Sequence, residues 1–128
     1  MITVKDVVKR ALRLLSITQA GESPSAPEFT DTLSALNSML FGWQLDAIRL
    51  EHVELYSDDV LPYEESHEEP IIYNLATRIA PEFGVAVSRE VGVVAARGFA
   101  NLQNYYDDPD LLITQPALDP SLMWNRNS

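Results

Sequence analysis

One stretch of the sequence, residues 25–47, constrains the fold more than any other. It opens with Ser25-Ala26-Pro27-Glu28, in which a glutamate follows a serine by three residues and a proline stands near the first helical position. This capping-box pattern is typical of a helix N-terminus. Apolar residues then recur at alternating steps of four and three: Phe29, Leu33, Leu36, Leu40, Trp43 and Ala47. The spacing predicts a helix of about five turns with one continuous apolar face.

Three further segments have a helical period. Thr3 precedes a pattern that predicts a helix over about residues 4–16. A third helix is expected to begin near residue 66 or 70 and to stop by Gly84, and Ser88 caps a fourth that runs to about Tyr106. The predicted apolar faces are Val4, Val7, Val8, Ala11, Leu12 and Leu15; Ile72, Leu75, Ala76, Ile79 and Ala80; and Val91, Val94, Ala95, Phe99 and Leu102.

Small residues line up along the fourth predicted helix. Gly92, Ala96 and Ala100 recur at steps of four. A glycine inside a helix costs about 1 kcal/mol relative to alanine, so close approach of another backbone is the expected compensation.

The helical period is lost between residues 48 and 63. Apolar residues there partly alternate, which indicates extended chain: either a short hairpin that turns at Ser57-Asp58-Asp59 or a loop. Two of the four predicted amphipathic helices precede this segment and two follow it. The predicted fold is an all-α, small four-helix bundle with a hairpin or loop insertion at about 48–63 and an extended C-terminal tail.

A chain of 128 residues has room for one domain with a real core. The composition shifts after Tyr106, where Asp107-Asp108-Pro109-Asp110 begins a stretch that also contains Pro116 and Pro120. We therefore expect a helical domain over 1–106 and an interaction tail over 107–128. The tail carries many apolar residues, which predict burial against a neighbouring subunit or partner more than against its own bundle. These residues are Leu111, Leu112, Ile113, Leu118, Leu122, Met123 and Trp124.

The chain is acidic, with a formal net charge of -10. Residues 51–70 contain eight carboxylates and neither lysine nor arginine. This excess of acidic over basic residues argues against a protein that binds nucleic acid through the phosphate groups. Charges at Lys5, Asp6, Lys9 and Arg10 interrupt the apolar stretch that a signal peptide needs, so we expect a chain that is neither secreted nor inserted in a membrane.

Residues that could carry catalysis are few. His52 and His67 stand fifteen residues apart without the spacing of a metal site, and both are expected at the protein surface. Zero cysteines exclude thiolate sites, and no pattern indicates a cofactor or a metal. Two carboxylates could serve a glycosidase as acid and base, with Glu64, Glu65, Glu68 and Glu69 as candidates. Because no apolar residues surround them to separate their pKa values, we expect no enzyme.

Four stretches, taken in order, resemble a known family. They are Thr3-Val4-Lys5-Asp6 running to Leu15, the Ala20-Gly21-Glu22 turn, Ala35-Leu36-Asn37-Ser38-Met39-Leu40 before Trp43, and Tyr73-Asn74-Leu75-Ala76-Thr77-Arg78-Ile79-Ala80-Pro81-Glu82-Phe83-Gly84. Their order and intervals resemble the head-to-tail connector proteins of tailed bacteriophages, in particular the tail accessory factor or packaged-DNA stabilisation group. The resemblance covers residues 1 to about 106.

The resemblance implies a structural subunit of the virion neck, assembled in the host cytoplasm. In that family such subunits form a ring, typically of twelve, beneath the portal protein. The ring extends the DNA channel, helps to retain the packaged DNA and binds tail or nozzle proteins. C-terminal extensions in this group reach along the portal or between subunits, which is how residues 107–128 are interpreted. Double-stranded DNA would pass through without specific binding, and Glu64, Glu65, Glu68 and Glu69 are candidates to line the channel, where carboxylates repel phosphates.

Two alternatives from other classes stay open. One is a virion-associated cell-wall glycosidase, which requires two carboxylates about 5 to 10 Å apart across a cleft. The other is a stand-alone helical adaptor protein, monomeric or dimeric.

Overall fold

The structure is a computed structural model that describes residues 1–107. It contains four α-helices: α1 (Val4–Leu14), α2 (Ala26–Gly42), α3 (Glu68–Ile79) and α4 (Arg89–Tyr106). A π-helical turn, Trp43–Ala47, extends α2, and short 3-10 turns, Glu65–His67 and Ala80–Phe83, flank α3. The predicted all-α four-helix fold is confirmed. No helix within 1–107 is long and apolar enough to cross a membrane.

The helix starts follow the capping residues that the sequence predicts. Thr3 Oγ1 accepts from the Asp6 amide at 3.2 Å, and Ser88 Oγ accepts from the Val91 amide at 3.2 Å. At α2, Ser25 and Glu28 form both hydrogen bonds of a capping box. These side chains satisfy amides that lack a partner within the helix, so α1, α2 and α4 each begin directly after their capping residue. α3 begins without a side-chain cap.

The end of α1 lies two residues before the predicted one. Ser16 adopts a left-handed backbone with φ of 60°, and the Ile17 amide donates to the Leu12 carbonyl at 3.0 Å. This hydrogen bond caps the C-terminus of the helix, and the left-handed residue changes the direction of the chain. The stop at Gly84 is confirmed, since it also adopts a left-handed backbone, with φ of 69°.

α3 is the central element of the bundle. It contacts each of the other three helices and packs most extensively against α4. The apolar face predicted for it is confirmed, because all five of its residues are buried. The core also contains residues of every other helix, among them Val7, Leu12, Leu36, Leu40 and Leu102.

Close approach of two backbones occurs in α4, but not along the predicted stripe. A Cβ atom on Gly98 would lie 3.0 Å from the Cα atom of Pro70 in α3. Gly92 has only the Val87 side chain near its Cβ position, at 3.9 Å, and Ala96 and Ala100 are exposed. The prediction for the Gly92 stripe is therefore wrong, because α4 turns a different face, the one with Gly98, toward α3.

The segment 48–63 is a loop, and it has no hairpin. It turns at Ser57-Asp58, but its returning arm pairs with the start of the chain. Thr3 and Val60 form an isolated antiparallel bridge, supported by a hydrogen bond from the Val4 amide to the Asp59 carbonyl at 2.9 Å. The outgoing arm packs on the bundle through Ile48, Leu50 and Leu55, which are buried. We call this segment the 48–63 loop.

Candidate functional site

The most unusual part of the molecule is a row of polar and aromatic side chains, two of them buried and three half-buried, in and beside the 48–63 loop. Its members are Asn37 of α2, His52 and Tyr63 of the loop region, His67 before α3, and Tyr106 at the end of α4. We call these five residues the polar–aromatic cluster. Ring centroids are 6.2 Å apart from His52 to Tyr63, 5.9 Å from Tyr63 to His67, and 5.5 Å from His67 to Tyr106. The cluster therefore joins three helices and the loop.

The prediction that both histidines lie at the surface is wrong. His52 is 5% exposed and His67 is 2% exposed. Position 52 continues the inward alternation of Ile48 and Leu50, and position 67 stands one helical turn before the buried Ile71. Sequence spacing could have placed both side chains inside. The acidic residues around them led to the opposite expectation.

Asn37 ties the 48–63 loop to α2. Its Oδ1 accepts from the Leu55 amide at 2.8 Å, and its Nδ2 donates to the Leu55 carbonyl at 3.0 Å. One side chain thus replaces the pair of backbone bonds that a neighbouring strand would supply. This arrangement allows the loop to be partly buried while both polar groups of Leu55 have partners.

His52 is hydrogen-bonded through both ring nitrogens. Nε2 lies 3.0 Å from Asn37 Oδ1, and Nδ1 lies 2.7 Å from the Tyr63 hydroxyl. The same hydroxyl lies 2.9 Å from the Glu51 carbonyl. Phe41 packs edge-on against the imidazole, with centroids 4.6 Å apart. Burial lowers the pKa of His52 below its usual value, because the imidazolium loses hydration there.

His67 holds the end of α4 against the start of α3. Its Nε2 lies 2.7 Å from the Tyr106 hydroxyl, and its Nδ1 lies 3.2 Å from Ser66 Oγ. Burial lowers the pKa of His67, and the nearby carboxylate of Glu64 offsets part of this effect. Burial also raises the pKa values of the Tyr63 and Tyr106 hydroxyls, so both are neutral at ordinary pH.

The four candidate glutamates surround the N-terminus of α3. Glu68 and Glu69 lie in its first turn and Glu65 lies in the preceding 3-10 turn, where carboxylates favour the positive end of the helix dipole. Glu68 is half-buried and the other three are exposed. Glu64 Oε2 accepts a hydrogen bond from the Tyr105 hydroxyl at 3.0 Å, which raises the pKa of that hydroxyl. Within residues 1–107, no three His, Asp or Glu side chains come together as a metal site would require.

A second feature lies at the end of α2, in the π-helical turn that follows it and in the 48–63 loop. Four large apolar side chains, Phe41, Leu45, Val53 and Tyr56, are exposed; Leu45 is 84% exposed and Val53 is 72% exposed. We call them the apolar patch. Phe41 and Tyr56 line one groove of about 380 Å³, together with Leu33 and Leu55. Leu45 stands one turn beyond Phe41, and Val53 follows His52, on which Phe41 packs. The sequence did not predict this surface. The apolar residues of the 48–63 loop were interpreted only as an alternation that indicates extended chain.

The residues predicted for partner binding, Leu111, Leu112, Ile113, Leu118, Leu122, Met123 and Trp124, lie outside the residues that the structure describes. The last helix that the structure describes, α4, ends at Tyr106, which is also the last residue of the helical domain predicted over 1–106.

No protein family model matches this chain, and no curated protein sequence matches it.

Proposed function

We propose that this chain is a structural subunit of a bacteriophage head–tail connector that forms a ring beneath the portal. The observation that carries the proposal is the apolar patch. Phe41 and Tyr56 line one groove, and exposed large apolar side chains that adjoin are typical of a surface that another protein covers. Leu45 and Val53 are mostly exposed in the single chain, and a neighbouring subunit would bury them.

The position of the patch suits an assembly surface. It combines the C-terminal part of α2 with the 48–63 loop, and Asn37 and His52 hold these two elements together. A surface built on such a fixed contact loses little conformational freedom when a partner binds. The apolar residues of the tail, from Leu111 to Trp124, are proposed as a second contact, to the portal or to a neighbouring subunit.

The distribution of charge is consistent with a channel through which DNA slides. The acidic residues Glu64, Glu65 and Glu69 are exposed beside the N-terminus of α3. Carboxylates facing a DNA channel repel phosphates, whereas a basic lining would bind the duplex by releasing counterions. We propose these residues, with Glu68, as part of the channel lining. Changing all four to lysine is expected to slow DNA ejection, and an unchanged ejection rate would contradict their placement.

Assembly with the portal protein of the same phage tests the main proposal. We expect the purified chain to cosediment with portal rings and to form a complex of defined stoichiometry in native mass spectrometry. Leu45→Glu places a charge in the apolar patch and is expected to reduce this complex at least about tenfold. Val93→Glu is the matched control, because Val93 is an exposed apolar residue on α4 outside the patch.

Two results would overturn the proposal. A chain that never binds portal rings is not a connector subunit. Equal loss of binding in Leu45→Glu and Val93→Glu would show that the apolar patch is not the contact. Hydrolysis of peptidoglycan by the purified chain, lost when the four glutamates become glutamine, would instead support the glycosidase alternative.

A further inference from the structure

The orientation of the Asn37 side chain is fixed by the backbone of Leu55. A backbone amide can only donate and a backbone carbonyl can only accept, so the bonds at 2.8 Å and 3.0 Å identify the oxygen and the nitrogen of the Asn37 amide. The atom of Asn37 that lies 3.0 Å from His52 Nε2 is therefore the oxygen. Because this oxygen is an acceptor, His52 Nε2 must carry a hydrogen.

The Tyr63 hydroxyl has one hydrogen and two neighbours that could accept it. The Glu51 carbonyl lies 2.9 Å away, and His52 Nδ1 lies 2.7 Å away. If Tyr63 donates to the carbonyl, the short contact to Nδ1 is a hydrogen bond only when Nδ1 carries a hydrogen as well. His52 is then an imidazolium, since both of its nitrogens are protonated.

We propose that His52 is a proton-binding site whose occupancy moves the Tyr63 hydrogen bond between the imidazole and the Glu51 carbonyl. In neutral His52, Nε2–H donates to Asn37 and Tyr63 donates to the bare Nδ1. When a proton from solvent binds Nδ1, this nitrogen donates to the Tyr63 oxygen, and the hydroxyl rotates to donate to Glu51. No bond within Tyr63 breaks, and the network gains one hydrogen bond.

The groups that face His52 allow both states. α2 presents Asn37 and Phe41, and the π-helical turn after it presents Gln44; all three are uncharged. From the loop side come Tyr63, which is titratable, and Glu51, whose carboxylate is exposed and lines the same cleft as the imidazole.

The balance at His52 is between hydration and hydrogen bonding. Burial lowers the pKa of His52, whereas the additional hydrogen bond of the protonated state acts in the opposite direction. The imidazolium is tolerated in this buried position because each of its N–H groups has an acceptor.

Protonation closes one part of the 48–63 loop. The bond from Tyr63 to Glu51 links the two ends of residues 51–63, which carry Val53 and Tyr56 of the apolar patch. The state of His52 thus sets how tightly this side of the patch is held.

Nuclear magnetic resonance of the labelled chain tests it. At pH 7.5 we expect the imidazole nitrogen shifts of His52 to show the neutral form with hydrogen on Nε2. On acidification, Nδ1 gains its hydrogen and the carbonyl carbon of Glu51 shifts with the same midpoint. In Tyr63→Phe the Glu51 carbonyl should no longer respond, and the His52 midpoint should fall by about one pH unit.

Tyr106→Phe is the matched control, because it removes the corresponding hydroxyl from His67. It should leave the His52 midpoint unchanged. Hydrogen on Nδ1 of neutral His52, a Glu51 carbonyl that does not follow the titration, or equal midpoints in Tyr63→Phe and the original chain would each overturn the proposal. The first two measurements need no substitution, so they decide the matter even if Tyr63→Phe fails to fold.

Discussion

The contact between α3 and α4 and the contact between α2 and the 48–63 loop are built in different ways. The first consists mainly of buried apolar side chains and one glycine, Gly98, that lets the helices approach. Two hydrogen bonds supplement it: Asn74 donates to the Ala95 carbonyl at 2.9 Å, and His67 is bonded to the Tyr106 hydroxyl. The second depends on Asn37, which supplies hydrogen bonds to loop backbone, and on His52, which bridges to Tyr63. Helices satisfy most of their own backbone polar groups, so packing supplies most of the contact between two helices, whereas an irregular loop also needs partners for those groups. The two contacts should therefore respond differently to substitution and to pH.

The largest effect is expected in the helical contact. Leu75 is fully buried in α3, so Leu75→Ala leaves a cavity at the centre of the bundle. We expect the free energy of unfolding to fall by about 3 kcal/mol, measured by urea denaturation. Leu45→Ala is the control, because this leucine is mostly exposed and its truncation should change stability by less than about 0.5 kcal/mol. Equal losses in both variants would contradict the central role of α3.

A smaller but more local effect is expected from Asn37→Ala. The substitution leaves the amide and carbonyl of Leu55 without their partners and removes the acceptor for His52 Nε2. We expect a loss of about 2 kcal/mol, together with faster hydrogen exchange of the Leu55 amide than of amides in α3. Asn104→Ala, on the exposed side of α4, should change neither quantity. If exchange accelerated equally in the loop and in α3, the loop contact would not be a separate unit.

Substitution of alanine for either of two glycines of α4 should change the free energy of unfolding, with opposite signs at the two positions. In Gly98→Ala the new methyl group meets the backbone of Pro70 at 3.0 Å, so we expect a net loss of about 1 kcal/mol after the gain in helix propensity. In Gly92→Ala the methyl group meets no atom closer than 3.9 Å, so the helix should gain up to about 1 kcal/mol. Thermal unfolding should show a lower midpoint for Gly98→Ala and a higher midpoint for Gly92→Ala. Stabilisation by both substitutions would show that the contact between α3 and α4 can accommodate an additional methyl group.

The difference between the contact of two helices and the contact of α2 with the 48–63 loop explains which features the sequence predicted and which it did not. Caps such as Ser25 and apolar periods such as that of α3 are local patterns, so the four helices were predicted close to their observed bounds. The role of Asn37 depends on Leu55, eighteen residues away, and no local pattern links them. For the same reason His52 and His67 were expected at the surface, since their acidic neighbours in sequence do not reveal their tyrosine partners.

The smallest expected effect is the part of the pH dependence of stability that the two buried histidines of the polar–aromatic cluster, His52 and His67, contribute. Burial lowers the pKa of His67, so the folded chain binds its proton less readily than the unfolded chain does. The stability that His67 contributes is therefore fully present above the unfolded value of about 6.5 and is lost as the pH falls below it. We expect urea denaturation to show a falling free energy of unfolding between pH 7.5 and pH 5.5, and a smaller fall in His67→Gln.

Leu75→Ala is the control for the pH dependence expected of His67→Gln. It removes apolar contact and no titratable group, so it should lower stability by a similar amount at both pH values and keep the slope of the original chain. His67→Gln should flatten the slope, because glutamine does not titrate. An unchanged slope in His67→Gln would mean that the pH response comes from groups other than His67, of which His52 is the nearest candidate within the cluster. A flattened slope in Leu75→Ala would mean that the packing around Leu75 affects the titration of His67, which lies before the same helix.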